Sequence, residues 1–256
     1  MSIPSAFTKT LVYIADQAIF FKSFFRNIFR KGFEWDEFFR QAYIIGYKSI
    51  GIVALTGFIL GFVLTLQSQP TLKQFGATSY IPGMVAVSVI REIGPVIIAL
   101  ICAGKIASSI GAELGSMNVT EQIDAMEVSG ANPVQFLVVT RILACTIMVP
   151  LLTVLADALA LAGGFFATNL SGEMSAKLYF TKAVYILDFS DLLPALIKTV
   201  LFGFAIGFTG CFKGFNSNKG TESVGLAANS AVVTSSVWII LIDAVVVQLS
   251  SALIYT

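Results

Sequence analysis

Five stretches of the chain are apolar almost without interruption, at about residues 48–68, 84–110, 136–166, 192–212 and 232–254. Each is close to or above the ~20 residues that a helix needs to cross a hydrocarbon core of ~30 Å. In a bilayer every backbone N–H and C=O must be satisfied within its own segment, so the pattern predicts an all-α integral membrane protein with five transmembrane helices. Over residues 1–47 the pattern changes. Phe20, Phe21, Phe24, Phe25 and Phe29 recur at near-helical spacing between Lys22, Arg26, Arg30 and Lys31. A cationic amphipathic helix of this kind lies in the headgroup plane or packs on the bundle as an elbow, and both can hold together. The chain thus divides into an interfacial region, 1–47, and a five-helix region, 48–256.

The second apolar stretch is interrupted by Arg91 and Glu92, about ten residues in. Each charge costs roughly 2.5–3.5 kcal/mol at such a depth unless it faces protein or water, which marks both as functional candidates. Pro95 has no N–H to offer the carbonyl of Arg91, and Gly94 beside it loosens the turn, so the helix is expected to kink or widen there. With a rise of ~1.5 Å per residue, Glu92, Asp157, Lys198 and Asp243 all fall in the central or outer half of their spans. They are expected to converge in pairs around an internal cavity, with Lys198 beside Asp157. Gln67, near the end of the first span, joins Arg91 and Glu92 as a group that could meet a headgroup.

Lysine and arginine are densest before the first span, at Lys9, Lys22, Arg26, Arg30, Lys31, Arg40 and Lys48. The positive-inside rule therefore puts the N-terminus in the cytoplasm and, after five spans, the C-terminus outside. Loops 111–135 and 213–225 are then cytoplasmic, and loops 69–83 and 167–191 external. The 111–135 loop reads as a short acidic helix, capped by Asn118 or Thr120, carrying Glu121, Asp124 and Glu127, and ended by Gly130 and Pro133. It has no apolar stripe, and an exposed acidic helix held between two spans suits docking on a partner that moves. Small residues four apart, Gly57/Gly61, Gly104/Ser108/Ala112, Gly203/Gly207 and Gly210/Gly214, predict close helix approach within one chain or between two copies.

Composition narrows the chemistry. The chain is 56% hydrophobic and only 12% charged, against about 25% charged in soluble domains. A formal net charge of +1 gives no electrostatic case for nucleic acid as a partner. The absence of histidine removes His-based acid–base work, Ser-His nucleophiles and most zinc sites. Cys102, Cys145 and Cys211 lie in or beside apolar spans with no metal-ligand spacing and are read as packing residues, so no metal site is expected. The first twenty residues are broken by Asp16 and Gln17 and read as uncleaved. No GxxxxGK[ST] loop occurs, so ATP hydrolysis, if used, comes from another chain. Asp157 and Asp243 could form an intramembrane aspartyl-protease dyad, but the sequences after them, ALALAGG and AVVVQ, do not resemble presenilin-like motifs. An ion-coupled secondary carrier is the other alternative; the chain lacks the inverted repeats and paired broken helices that such folds use.

Three runs carry a family resemblance: Arg91-Glu92-Ile93-Gly94-Pro95, Ala112-Glu113-Leu114-Gly115, and Thr120 to Glu127, TEQIDAME. A fourth, GLAANSAVVTSSVWIILID, spans Gly225 to Asp243. Together they resemble the MlaE/YrbE-type permeases of ABC lipid transporters, of the bacterial Mla and Mce systems and the related chloroplast importer, over roughly residues 40–256. The resemblance implies a permease that is not itself an enzyme, acting as a two-fold homodimer around a cavity for membrane lipid such as phospholipid. It implies an ABC ATPase subunit that holds ATP and Mg, no cofactor in this chain, and an MCE-type substrate-binding protein on the external face. Glu113, Glu121, Gln122, Asp124 and Glu127 would couple to the ATPase. The implied location is the bacterial inner membrane, with the C-terminus periplasmic.

Overall fold

The computed structural model describes residues 5–30, 32–170, 174–218 and 220–254, and among these there is no strand. Lys31 lies outside the described residues, as does the side chain of Lys9. Helix α1 (Ser5–Ile28) is followed by α2 (Trp35–Gly46), a single 3-10 turn over Tyr47–Ser49, and α3 (Ile50–Gln74). Helices α4 (Ile81–Ser88), α5 (Gly94–Cys102) and α6 (Ser108–Val119) form one rod joined by π turns at Val89–Ile93 and Ala103–Ala107. The short α7 (Gln122–Val128) precedes α8 (Thr140–Asn169), which is entered through a π turn at Val134–Val139. Then come α9 (Ala176–Tyr185), α10 (Phe189–Phe215) and α11 (Thr221–Ile254). Among the described residues, five segments are long and apolar enough to cross a membrane, Trp35–Gln74, Thr78–Val119, Val134–Asn169, Phe189–Phe215 and Thr221–Ala252. Each contains or overlaps one of the five expected stretches.

Two features depart from the pattern read along the chain. The first span begins at Trp35 rather than near residue 48, because α2 runs through the 3-10 turn into α3. Its polar residues concealed it: Glu37 and Gln41 are buried and satisfy each other through a 2.6 Å hydrogen bond, while Trp35, Phe39, Tyr43 and Tyr47 face outward. The second is α9, a ten-residue helix in the 167–191 loop, too short to register as a span. Ser175 caps its N-terminus and Tyr179 anchors it against the bundle, where burial pushes the phenol up to about 12.

Helix α1 packs on the bundle through one aromatic edge. Phe20 and Phe24 are buried against Phe204, Phe208, Phe212 and Phe215 of α10, with ring centroids 5.5–6.0 Å apart, while Phe21, Phe25 and Phe29 remain exposed.

Small residues set the spacing of the spans. A Cβ on Gly57 would stand 2.5 Å from the Ala156 carbonyl oxygen of α8, and one on Gly61 would collide with that of Ala160. Gly163 returns the contact against Phe58 of α3. Gly203 and Gly207 bring α10 onto Cys145 and Ile142 of α8, and Gly210 and Gly214 bring it onto Ala107, Ile110 and Leu114 of the rod. Such contacts are the general basis of close packing in lipid, where no hydrophobic gain separates helix from tail. Gly104, by contrast, has open space where its side chain would be. Between α6 and the start of α8, the Arg141 guanidinium, 2% exposed, donates to the Glu113 carboxylate at 2.8 Å and to the Leu137 carbonyl at 2.9 Å.

Two outcomes follow for detergent-purified protein followed by thermal unfolding. Gly61→Val is expected to destabilise by about 1–3 kcal/mol or more, since backbone rather than a movable side chain opposes it, whereas Gly51→Val, at a glycine facing open space, leaves the midpoint unchanged. Glu113→Ala strands a buried guanidinium and is expected to cost about 3–5 kcal/mol. Arg141→Met frees a carboxylate that is already 46% exposed and should cost clearly less. Equal losses for the pair would contradict this asymmetry.

Candidate functional site

The π turn at Val89–Ile93 widens the rod where Pro95 withholds its N–H; the Gly94 N–H reaches back five residues to the Val89 carbonyl. A π turn inserts one residue into the helical register, and here it carries Arg91 and Glu92. Glu92 accepts from the Lys198 ammonium of α10 at 2.6 Å, and the same ammonium donates to Asp243 of α11 at 3.0 Å. Lys198 is 2% exposed, so both carboxylates are drawn onto a charge removed from solvent. Arg91 lies 3.6 Å from the Asp191 carboxylate, at the start of α10. Asp191 also completes the capping box of α10, its carboxylate accepting the Asp188 N–H at 3.4 Å. Arg91, Glu92, Asp191, Pro194 and Lys198 share a narrow cleft closed on its other side by Val246, Val247 and Ser250 of α11.

The expected pairing of Lys198 with Asp157 is therefore corrected: Lys198 binds Glu92 and Asp243. Asp157 lies in a separate, mainly apolar cavity of about 150 Å³ with Pro95, Pro150, Thr153 and Thr199. Its buried Oδ1 has no hydrogen-bond partner and fills the space that Gly94 leaves by lacking a Cβ. Depth along a helix axis, the basis of the expected pairing, carries no information about which face a residue occupies. With Asp243 held by Lys198 and Asp157 in another cavity, the two carboxylates do not form a dyad. Gln67 is exposed on α3 and does not line the cleft of Arg91 and Glu92. Among the described residues, no group of three or more His, Cys, Asp or Glu side chains could hold a metal.

Two participants were missed in the sequence. Asp191 sits seven residues before Lys198, two helical turns away on the same face, which was the available signal. Arg141 was a lone cation inside the third apolar stretch.

The acidic segment follows the rod after a short turn. After α6 the chain turns through Glu121, whose φ of 57° lies in the left-handed region, and enters α7. Ile123 is buried and Met126 half-buried, which seats α7 on the bundle, while Glu121, Gln122, Asp124 and Glu127 face solvent. Neither expected cap acts as one. Asn118 donates to the Ser217 carbonyl at 2.6 Å, tying this segment to the loop after α10, and the Thr120 hydroxyl donates back to the Ser116 carbonyl at 2.9 Å. Glu113 stands apart from α7, on α6, held by Arg141.

Comparison with known proteins places these features in a lineage. A probable ABC transporter permease protein of Rickettsia typhi is 37% identical over 210 residues, covering 82% of this chain and 81% of its own length. One of Synechocystis is 33% identical, covering 76% and 74% respectively, and one of Pyropia yezoensis is 34% identical with the same coverage. The family profile for permease MlaE matches residues 38–249, a range that holds the broken rod, the Lys198 network and α7 together, and the chain belongs to the MlaE permease family.

Proposed function

We propose that this chain is the membrane-spanning subunit of an ATP-binding-cassette transporter that moves phospholipid or a lipid of similar shape. In this reading it works as a two-fold homodimer with a separate ATPase subunit in the cytoplasm and an MCE-type protein on the external face. It resides in the bacterial inner membrane with its N-terminus cytoplasmic and its C-terminus periplasmic. ATP and Mg belong to the ATPase, and this chain needs no cofactor. The observation that carries the reading is mechanical. The exposed acidic helix α7 and the charged break at Val89–Ile93 are ends of one chain path, α4–α5–α6–α7, with a second π turn at Ala103–Ala107 between them.

ATPase closure pressing on Glu121, Gln122, Asp124 and Glu127 moves α7 and with it α6. The π turns, where the helical ladder is already loosened, take up the bending. Glu92 stands on the upper break and shares Lys198 with Asp243, so displacement of the break shifts the ammonium between two carboxylates on different helices. When Glu92 withdraws, Lys198 and Arg91 offer cations to a headgroup phosphate while apolar faces hold the acyl chains. The residues thus bind and release without making or breaking covalent bonds.

Affinity purification from native membrane in mild detergent, followed by mass spectrometry of proteins and lipids, tests the assignment. An ATPase subunit is expected with the native chain and is expected to be lost from a Glu121→Lys, Glu127→Lys variant, with phospholipid retained in both. Recovery of the chain alone, unchanged between variants, would overturn the ABC reading in favour of a carrier.

The Lys198 network is tested in proteoliposomes holding the whole transporter. Lys198→Met leaves two partly exposed carboxylates without their cation and is expected to lower the thermal midpoint. Combining it with Glu92→Gln and Asp243→Asn is expected to restore thermal stability while ATP-dependent lipid transfer stays at least about tenfold down, a loss of ~1.4 kcal/mol or more. Normal transfer by the triple variant would reduce the network to a structural lock.

A further inference from the structure

A pocket of about 810 Å³ lies between the last turns of α1 and the turn that follows α7. Its volume falls in the ~300–1,000 Å³ range of small-ligand sites. Ser23 and Arg26 of α1 and Arg30 just past its end line one side, and Glu127 and the Gly130–Val134 segment line the other. The two walls are tied. The Asn132 amide donates to the Asn27 side-chain oxygen at 2.6 Å, and the Gln135 amide donates to the Gly32 carbonyl at 3.0 Å. Gly130 turns the chain with a φ of 84°, which a side chain disfavours, so the rim is shaped locally as well.

Arg26, in the last turn of α1, and Arg30, just past its end, line the same wall of the pocket, and among the described residues neither guanidinium has an ion-pair or hydrogen-bond partner. Guanidinium groups match the oxygens of a phosphate bidentately. Glu127 on the opposite wall disfavours a second negative charge, so a phosphodiester with one charge fits better than inorganic phosphate with nearly two. Phe21 and Phe25 of α1 are exposed, as is Phe29 in the turn that follows it, an arrangement that suits entry into the headgroup layer. The pocket opens where the chain begins its third span, at Val134.

We propose that this pocket is a phospholipid headgroup site, with the phosphodiester held between Arg26 and Arg30 and the lipid coming from the leaflet in which α1 lies. It is distinct from the Lys198 cleft and does not depend on the transport reading. A bound headgroup would bridge α1 to the segment immediately behind α7, so lipid occupancy at the membrane surface bears on the element that faces the cytoplasmic partner.

The test uses the full chain with whatever subunits co-purify, bearing a photoreactive side chain at Ala131, which lines the pocket. The protein is reconstituted in vesicles containing phosphatidylglycerol or, in its place, diacylglycerol with the same acyl chains. Crosslinking to phosphatidylglycerol is expected, with little to diacylglycerol. It is expected to fall at least about tenfold in Arg26→Gln/Arg30→Gln, to survive in part in Arg26→Lys/Arg30→Lys, and to be unchanged in Lys22→Gln, which removes an exposed charge from the same helix outside the pocket. An equal loss in Lys22→Gln would reduce the effect to surface charge and overturn the site. So would equal labelling of diacylglycerol, displacement of the lipid by inorganic phosphate alone, or a crosslink to the ATPase subunit with no lipid adduct, which would make the pocket a protein interface.

Discussion

An ammonium group inside an apolar bundle is tolerated only where carboxylates meet it, and Lys198 is met by two, on two different helices. Much of the surrounding architecture serves that requirement. Glu92 reaches α10 from a π turn in the rod, and the turn exists where Pro95 withholds a backbone donor. Asp243 reaches it from α11, which fixes the rotation of that helix. Asp191, two turns before Lys198 on α10, takes up Arg91, so the adjacent charges of the break are both answered on one face of one helix. A neutral residue at position 198 would leave the break, α10 and α11 with no common electrostatic anchor.

The packing around that anchor is uneven. Helices α3, α8 and α10 meet through glycines, backbone against backbone, at Gly57, Gly61, Gly163, Gly203 and Gly207. Contacts so close leave no side chain that could rotate to absorb a displacement, and they make these three helices a stiff slab. The rod α4–α5–α6 lies against the slab with two π turns in it, and its far end continues into α7. The π turns of the rod are its joints for a hinge-type transition, while Gly210 and Gly214 hold its lower part, Ala107 to Leu114, onto α10.

The legible and illegible parts of the sequence divide along physical lines. Five spans could be read because lipid demands long apolar runs, and Arg91, Glu92, Lys198 and Asp243 stood out because lipid penalises charge. The widening at Val89–Ile93 followed from Pro95, whose missing N–H is a covalent fact. The partner of Lys198 could not be read, since depth along an axis does not give the azimuth around it. Asp191 was obscured because it also caps a helix, a role that by itself explains an aspartate there. Helix α2 was obscured by Glu37 and Gln41, polar residues that satisfy each other once folded but count against a span in a linear reading. Arg141 shows the same effect from the other side: a cation in an apolar run whose partner, Glu113, is 28 residues distant.

Large apolar side chains are buried in the core and also cover the outer surface. Large side chains such as Leu55, Ile59, Leu151, Val154, Val237 and Ile240 face outward, while glycine and alanine make the closest helix contacts around a core that includes Ile98, Ile142 and Phe202. Helix α11 takes this furthest, with only 17% of its most apolar window buried. In water, drawing such a helix off α10 would expose apolar surface at roughly 25 cal/mol per Å². In a bilayer the exposed surface meets acyl chains instead, and that penalty largely vanishes. What then holds α11 in place is close packing and the bond from Lys198 to Asp243. The cleft between the break, α10 and α11 is therefore closed by packing together with one ion pair. In the proposed transport reading, a headgroup phosphate arriving as a competing anion would weaken the Lys198–Asp243 bond. The bilayer would make a lateral opening there inexpensive, and in that reading the charge network would set when it occurs.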